Sequence, residues 1–168
     1  MFPPDLLDTA EKLLETCRRA NLHIATAESC TGGLIAACLT EIAGSSDVVD
    51  RGFVTYSNAA KTELLDVPET ILAAHGAVSA EVAEAMVLGA LENSRAELAV
   101  SVTGIAGPGG GSADKPVGLV FIGLCRRGAA ATARRHDFPG SRSEVRRATL
   151  DAALAGLAAL ALQPTAGQ

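Results

Sequence analysis

Ala27-Glu28-Ser29-Cys30-Thr31-Gly32-Gly33 separates two stretches of different character. Before it lies Leu22-His23-Ile24-Ala25-Thr26, a short apolar run with two β-branched residues. After it lies Leu34-Ile35-Ala36-Ala37-Cys38-Leu39, whose apolar residues are helix formers at helical spacing. The transition reads as strand, tight turn, helix. Such a turn lifts a hydroxyl to the mouth of a sheet and points the first N–H groups of the helix outward. A serine held there could attack a carbonyl while neighbouring amides stabilise the oxyanion. It could equally be an N-cap serine followed by two glycines that allow close packing. The stretch by itself leaves both readings open.

The rest of the chain supplies elements to surround this turn. An amphipathic helix is expected over Asp5–Ala20, with Leu6, Leu7, Ala10, Leu13, Leu14 and Cys17 on one face. The helix after the turn is expected to end near Gly44. Val48–Ser57 reads as a strand with a bulge at Arg51-Gly52, and Asn58 begins a short helix that carries Lys61 in its first or second turn. Pro68 opens another helical piece closed by Gly76, and Ser79 caps a helix over Ala80–Asn93. Leu98–Val102 is a buried strand that runs into a glycine-dense loop, Thr103–Ser112. Pro116–Cys125 and Ala129–Phe138 form a hairpin around Arg126-Arg127-Gly128. Ser141 and Glu144 form a capping box for a last helix running to about Leu162. A three-layer α/β/α sandwich with a central mixed, mostly parallel sheet packs these elements most economically. Residues 1–168 are expected to form one domain, with an ordered core over 5–162 and a frayed tail over 163–168.

Composition narrows the function classes. At 48% hydrophobic and 20% charged residues, the chain has enough apolar material for a substantial core. A net charge of −5 argues against nucleic-acid binding through bulk electrostatics. Cys17, Cys30, Cys38 and Cys125 form no CxxC pair and read as buried thiols in a reducing compartment. No basic-plus-apolar leader and no apolar run of membrane-spanning length is apparent, so a cytoplasmic protein with no membrane partner is expected. An apolar face on one of the Ala-rich helices could support a homo-oligomer.

Three stretches fall at strand carboxyl ends, where sheets of this class build their sites. These are the Ser29 turn, the Tyr56–Lys61 segment and the Thr103 loop. None of His23, His75 and His136 neighbours such a turn, so Lys61 is the better candidate base. A lysine serves as a base only when burial or cationic neighbours bring its pKa down; otherwise Lys61 is an exposed helix residue. Tyr56 could pack its ring, relay a proton, or orient Lys61. Gly104, Gly107, Gly109, Gly110 and Gly111 could form an anion nest with the Thr103 hydroxyl beside it, or a surface loop. Cys30 is a competing nucleophile. Arg142, Arg146 and Arg147 crowd the start of the last helix, an unfavourable end for cations. A phosphate ligand, or salt bridges to surface carboxylates, would explain them. No His/Cys/Asp/Glu cluster has metal-ligand spacing, so neither a metal nor a cofactor is expected.

The stretches AESCTGGLIAACLT, GSS, GFVTYSNAAK, GAVSAEVAEAM, VSVTGIAGPGGGSADKPVG and FPGSRSEVRRATLDAAL together resemble the C-terminal domain of the competence/damage-inducible protein CinA. The likeness runs from about Ala27 into the final helix. Single-domain members of that family resemble nicotinamide-nucleotide amidohydrolases, which convert nicotinamide mononucleotide to nicotinate mononucleotide and ammonia. Larger members carry an additional N-terminal domain. The resemblance implies a three-layer α/β/α fold and a metal-independent serine amidase. It implies Ser29 as nucleophile, supported by Lys61 and Tyr56, with Thr103 as a substrate or oxyanion contact. The amides of Cys30, Thr31 and Gly32 would hold the oxyanion. The phosphate of the substrate would sit at the Gly104–Gly111 loop, including Gly107 and Gly109, or at Arg142 and Arg146. A non-catalytic nucleotide-binding or regulatory module, and an amidase for another small amide, are the competing expectations.

Overall fold

Leu6, Ala10, Leu13, Leu14 and Cys17 recur at helical spacing and are all buried, which folds Pro4–Ala20 into α1 across one face of a sheet. The computed structural model describes residues 2–163, so the tail expected over 163–168 lies, beyond Gln163, outside the described residues. The elements that follow are β1 (Ile24–Glu28), α2 (Leu34–Thr40), a 3₁₀ turn (Ser45–Asp47) and β2 (Val49–Val54). Then come α3 (Asn58–Leu65), α4 (Glu69–His75), α5 (Ala80–Glu92), β3 (Leu98–Gly104), β4 (Leu119–Arg126), β5 (Thr132–Asp137) and α6 (Arg142–Ala161).

The strands lie in the order β2-β1-β3-β4-β5. β1 pairs parallel with both β2 and β3, and β4 pairs antiparallel with β3 and β5. Only β4 therefore runs against the other four strands. All five residues of β1 are buried, as are the first six of β3, because helices cover both faces. Strand alternation sorts their side chains. Ile24, Val100 and Val102 join a core with α1, α2 and α6, whereas Ala25, Ala27 and Ala99 join a second core under α5.

The second face is built from small residues so that α5 can come close. The Ser101 hydroxyl donates to the Ala83 carbonyl at 2.6 Å, and a Cβ on Gly123 would stand 2.7 Å from that same carbonyl oxygen. α5 in turn packs on α3 backbone to backbone, since a Cβ on Gly89 would overlap the Leu65 carbonyl. Gly89→Ala should therefore lower the unfolding free energy by about 1–3 kcal/mol, read from chemical denaturation. A change under about 0.5 kcal/mol would contradict so close a contact.

Several boundaries depart from the sequence expectation for identifiable reasons. The Leu22 amide closes α1 by donating to the Cys17 carbonyl, so β1 starts at Ile24 and not at Leu22. The irregularity in β2 falls at Asp50, one residue before Arg51-Gly52. There the Asp50 carboxylate accepts from the Arg95 amide at 3.1 Å and from the Arg51 guanidinium at 2.9 Å. α2 ends at Thr40, and Gly44, with φ 78°, instead caps the 3₁₀ turn. Pro116 to Gly118 precede β4 as a turn closed by the Leu119 amide on the Pro116 carbonyl. The expected caps at Ser79 and Ser141 are present, the latter as a complete capping box with Glu144, and Ser57 caps α3 in addition.

Candidate active site

β1, β2 and β3 run in the same direction, so Ser29, Thr55 and Thr103 arrive at one end of the sheet. The Ser29 amide still follows the strand, donating to the Val102 carbonyl at 3.0 Å. The chain then turns sharply, with the Gly32 amide on the Ser29 carbonyl at 3.0 Å. Gly32 and Gly33 have φ of 61° and 94°, which explains two consecutive glycines.

Gly33 occupies the N-cap of α2 and supplies no side-chain cap. Glu28 does so from the end of β1. Its Oε2 accepts from the Gly33 amide (3.1 Å), the Ile35 amide (3.0 Å) and the Thr31 hydroxyl (2.6 Å). Its Oε1 accepts from the Ala36 amide at 2.8 Å. Glu28 is only 1% exposed, so a buried carboxylate takes up the N-terminal donors of α2. The amides of Cys30 and Thr31 have no acceptor among the described residues. They are the donors left at the turn.

Ser29 lies on the α5 side of the sheet, where α3 brings Lys61. Ser57 caps α3 by accepting from the Ala60 amide at 3.0 Å, placing Lys61 one residue further into the first turn. Lys61 is 1% exposed, and its Nζ lies 3.1 Å from Ser29 Oγ while donating to the Thr55 carbonyl at 2.9 Å. Burial pulls the Lys61 pKa below the ordinary lysine value, with only Cys30 acting weakly the other way. The amine thus has a fixed donor direction and a second contact on the Ser29 hydroxyl. A neutral amine in this place directs its lone pair at that hydroxyl. Cys30 is disfavoured as the nucleophile, because burial pushes its thiol up to about 11.

The remaining candidates are distributed differently from the sequence expectation. Tyr56 is 61% exposed, and its hydroxyl accepts from Arg142 Nη2 at 3.0 Å; no hydrogen bond joins it to Lys61. The Thr55 carbonyl orients the lysine instead. Arg142 also donates to the Gly107 carbonyl at 3.0 Å, linking the end of β2, the glycine loop and the start of α6. Arg146 donates to the Thr31 carbonyl at 2.7 Å. Among the described residues neither arginine makes the surface salt bridge weighed for it, whereas Arg147 pairs with Asp5 and Asp151. Thr103 is 1% exposed and gives its hydroxyl proton to the Ala77 carbonyl at 2.7 Å, so it ties β3 to the approach of α5.

Gly104 is a strand residue whose Cβ would press on the Leu119 carbonyl, while space around Gly109 is open. Gly107, with φ 82°, brings its carbonyl to Arg142. Lys115 is committed to the His75 carbonyl at 2.7 Å. His23 and His75 pair with Glu97 and Glu81, and His136 stacks on Phe138, so no imidazole reaches the Ser29 turn. Among the described residues no group of three or more His, Cys, Asp or Glu is placed to hold a metal ion, and no helix is long and apolar enough to cross a membrane. Glu28 and the Thr55 carbonyl are the parts that sequence reasoning missed. The one available signal was a carboxylate at the end of an otherwise uncharged buried strand.

Fold and site together define a three-layer α/β/α domain with a serine–lysine pair at its strand ends. The chain belongs to the CinA C-terminal domain family, whose profile matches residues 7–161. It is 46% identical over 147 residues to the nicotinamide-nucleotide amidohydrolase PncC of Escherichia coli (strain K12), covering 88% of this chain and 89% of that protein. It is 49% identical over 154 residues to a CinA-like protein of Citrifermentans bemidjiense, covering 92% of this chain but 37% of that protein. The chain thus spans about a third of the length of the CinA-like proteins it matches. Among solved structures, the competence/damage inducible protein CihA from Agrobacterium tumefaciens superposes with a TM-score of 0.93 at 51% identity. That alignment covers 95% of this chain and 98% of that one.

Proposed function

We propose that this chain is a metal-independent serine amidase that hydrolyses nicotinamide mononucleotide to nicotinate mononucleotide and ammonia. The observation that carries the reading is the 3.1 Å contact between Ser29 Oγ and the buried Nζ of Lys61. The substrate comes from likeness to the PncC amidohydrolase, which this chain matches over most of both lengths.

The chemistry follows from the geometry. Neutral Lys61 takes the Ser29 proton as Oγ attacks the carboxamide carbon, forming a C–O bond and a tetrahedral oxyanion. The free amides of Cys30 and Thr31 are the donors for that oxygen. The Lys61 ammonium then returns the proton to the amide nitrogen as the C–N bond breaks and ammonia leaves. Water attacks the acyl-enzyme with Lys61 again as base, releasing the carboxylate and restoring the Ser29 hydroxyl. No step needs a cofactor. Arg142 is exposed and, among the described residues, bonds to a carbonyl and a phenol, so it would be the cation that takes the substrate's phosphate. Nothing in the path calls for nucleic acid or a membrane, and a cytoplasmic setting suits both the substrate and the free thiols.

The test is to incubate purified protein with nicotinamide mononucleotide in the presence of a chelator and to quantify both products. Equal amounts of ammonia and nicotinate mononucleotide are expected. Saturable binding of the nucleotide without product would replace this reading with a binding module. Turnover of other carboxamides alone would keep the nucleophile and change the substrate.

Lys61 also makes a pH prediction. Its folded-state pKa is depressed, so above that value and up to about 10.5 the unfolded chain binds the extra proton and stability rises with pH. Lys61→Met lacks this contribution. The stability difference, wild type minus Lys61→Met, should be flat at low pH and grow as pH climbs toward the ordinary lysine value. In the wild type, kcat/KM should rise over the pH range in which Lys61 loses its proton. A stability difference that stays independent of pH all the way up to the ordinary lysine value would show an unshifted lysine pKa.

A further inference from the structure

We propose that Arg146 is a positioning residue for the oxyanion turn, holding the Thr31 carbonyl while Glu28 holds its hydroxyl, and is not a ligand for the substrate's phosphate. The proposal rests on the amidase reading above. Thr31 is fully buried and is gripped at two points by opposite charges. Its hydroxyl donates to Glu28 Oε2 at 2.6 Å, and its carbonyl accepts from Arg146 Nη2 at 2.7 Å. Both are charge-assisted and short, the stronger class of hydrogen bond.

The consequence for the turn is specific. The peptide between Thr31 and Gly32 is held at both ends, its carbonyl by Arg146 and its N–H by the Ser29 carbonyl. Fixing that plane fixes the preceding peptides, whose Cys30 and Thr31 N–H groups have no acceptor among the described residues. Glu28 removes the competing donors at Gly33, Ile35 and Ala36. Glu28 and Arg146 thus leave two aimed amides beside Ser29 Oγ.

The environment of Arg146 agrees. Its guanidinium lies against the turn, with Nη2 placed 3.9 Å from where a Cβ on Gly32 would sit. Its Nε is buried with no acceptor among the described residues. Two N–H groups facing the protein interior leave Arg146 less of its fork for a ligand than the exposed Arg142 has.

Steady-state kinetics of Arg146→Met and Arg146→Lys on nicotinamide mononucleotide, and on the phosphate-free nicotinamide riboside, separate the two roles. Arg146→Met should lower kcat on the order of 10²-fold, as a small misplacement of aimed groups does, with KM for the mononucleotide nearly unchanged. The riboside, wherever it turns over, should suffer the same loss in kcat. Arg146→Lys should recover much of the rate, because one donor reaches the Thr31 carbonyl. A raised KM for the mononucleotide with kcat preserved would overturn the proposal and make Arg146 a phosphate ligand. A second readout needs no turnover: amide hydrogen exchange in residues 29–36 should quicken in Arg146→Met and return toward wild type in Arg146→Lys. Unchanged exchange would overturn the clamp. Absence of turnover in the wild type would remove the amidase reading and leave the exchange result to decide the clamp.

Discussion

Ser29→Ala and Lys61→Met are each expected to lower kcat for nicotinamide mononucleotide by at least about 10³-fold, and the double variant to be little worse than either. In the proposed mechanism the two side chains form one device: Oγ is a poor nucleophile until its proton has somewhere to go, and the buried amine is the group within reach. Removing either end therefore removes the whole. Lys61→Arg should be as inactive as Lys61→Met, because a guanidinium stays protonated and cannot accept the Ser29 proton. Cys30→Ala should keep most of the activity, since burial holds that thiol protonated near neutrality. Losses that multiply in the double variant would mean that serine and lysine act on separate steps.

Glu28→Ala is expected to be the most destabilising single change at the site, by about 3–5 kcal/mol in denaturant unfolding. It would leave the Gly33, Ile35 and Ala36 amides and the Thr31 hydroxyl without their acceptor in a buried place. Each unsatisfied buried donor costs about 1–3 kcal/mol, less whatever water or a shifted turn restores. Glu28→Gln keeps one acceptor oxygen but turns an NH₂ toward backbone donors, so an intermediate loss is expected. Against a typical domain stability of about 5–15 kcal/mol, the alanine variant should be only marginally folded. A loss under about 1 kcal/mol would show that the turn is held by its glycines and by packing, and not by the carboxylate.

Much of the fold was legible because its local signals agree with one another. Ser79 and Ser141 stand one residue before expected helices, and each does cap its helix. The uncharged runs ending in Thr26 and Val102 announced strands buried on both faces. What the sequence hid was long-range. β1 runs two residues past its apolar run because α2 amides satisfy Glu28, and no local rule foretells that a charged residue will end a buried strand. The same applies to the site. Ser29 and Lys61 are 32 positions apart, and their contact depends on β2 placing α3 over the end of β1.

Tyr56 and Arg146 illustrate a related limit of local signals. Motif position locates a side chain at the site but does not say which way it turns. Tyr56 turns outward to Arg142, whereas Arg146 turns inward to a backbone carbonyl. Arg142 and Arg146 share a helical face, yet one turn of helix separates an exposed cation from a half-buried one.

Rapid quenching of the wild-type protein soon after mixing with nicotinamide mononucleotide, followed by intact-mass measurement and peptide mapping, tests the proposed roles of Ser29 and Lys61 most directly. An acyl group is expected on the peptide that contains Ser29, localised to that residue and missing from Ser29→Ala. An adduct on Cys30, or full turnover by Ser29→Ala, would contradict it.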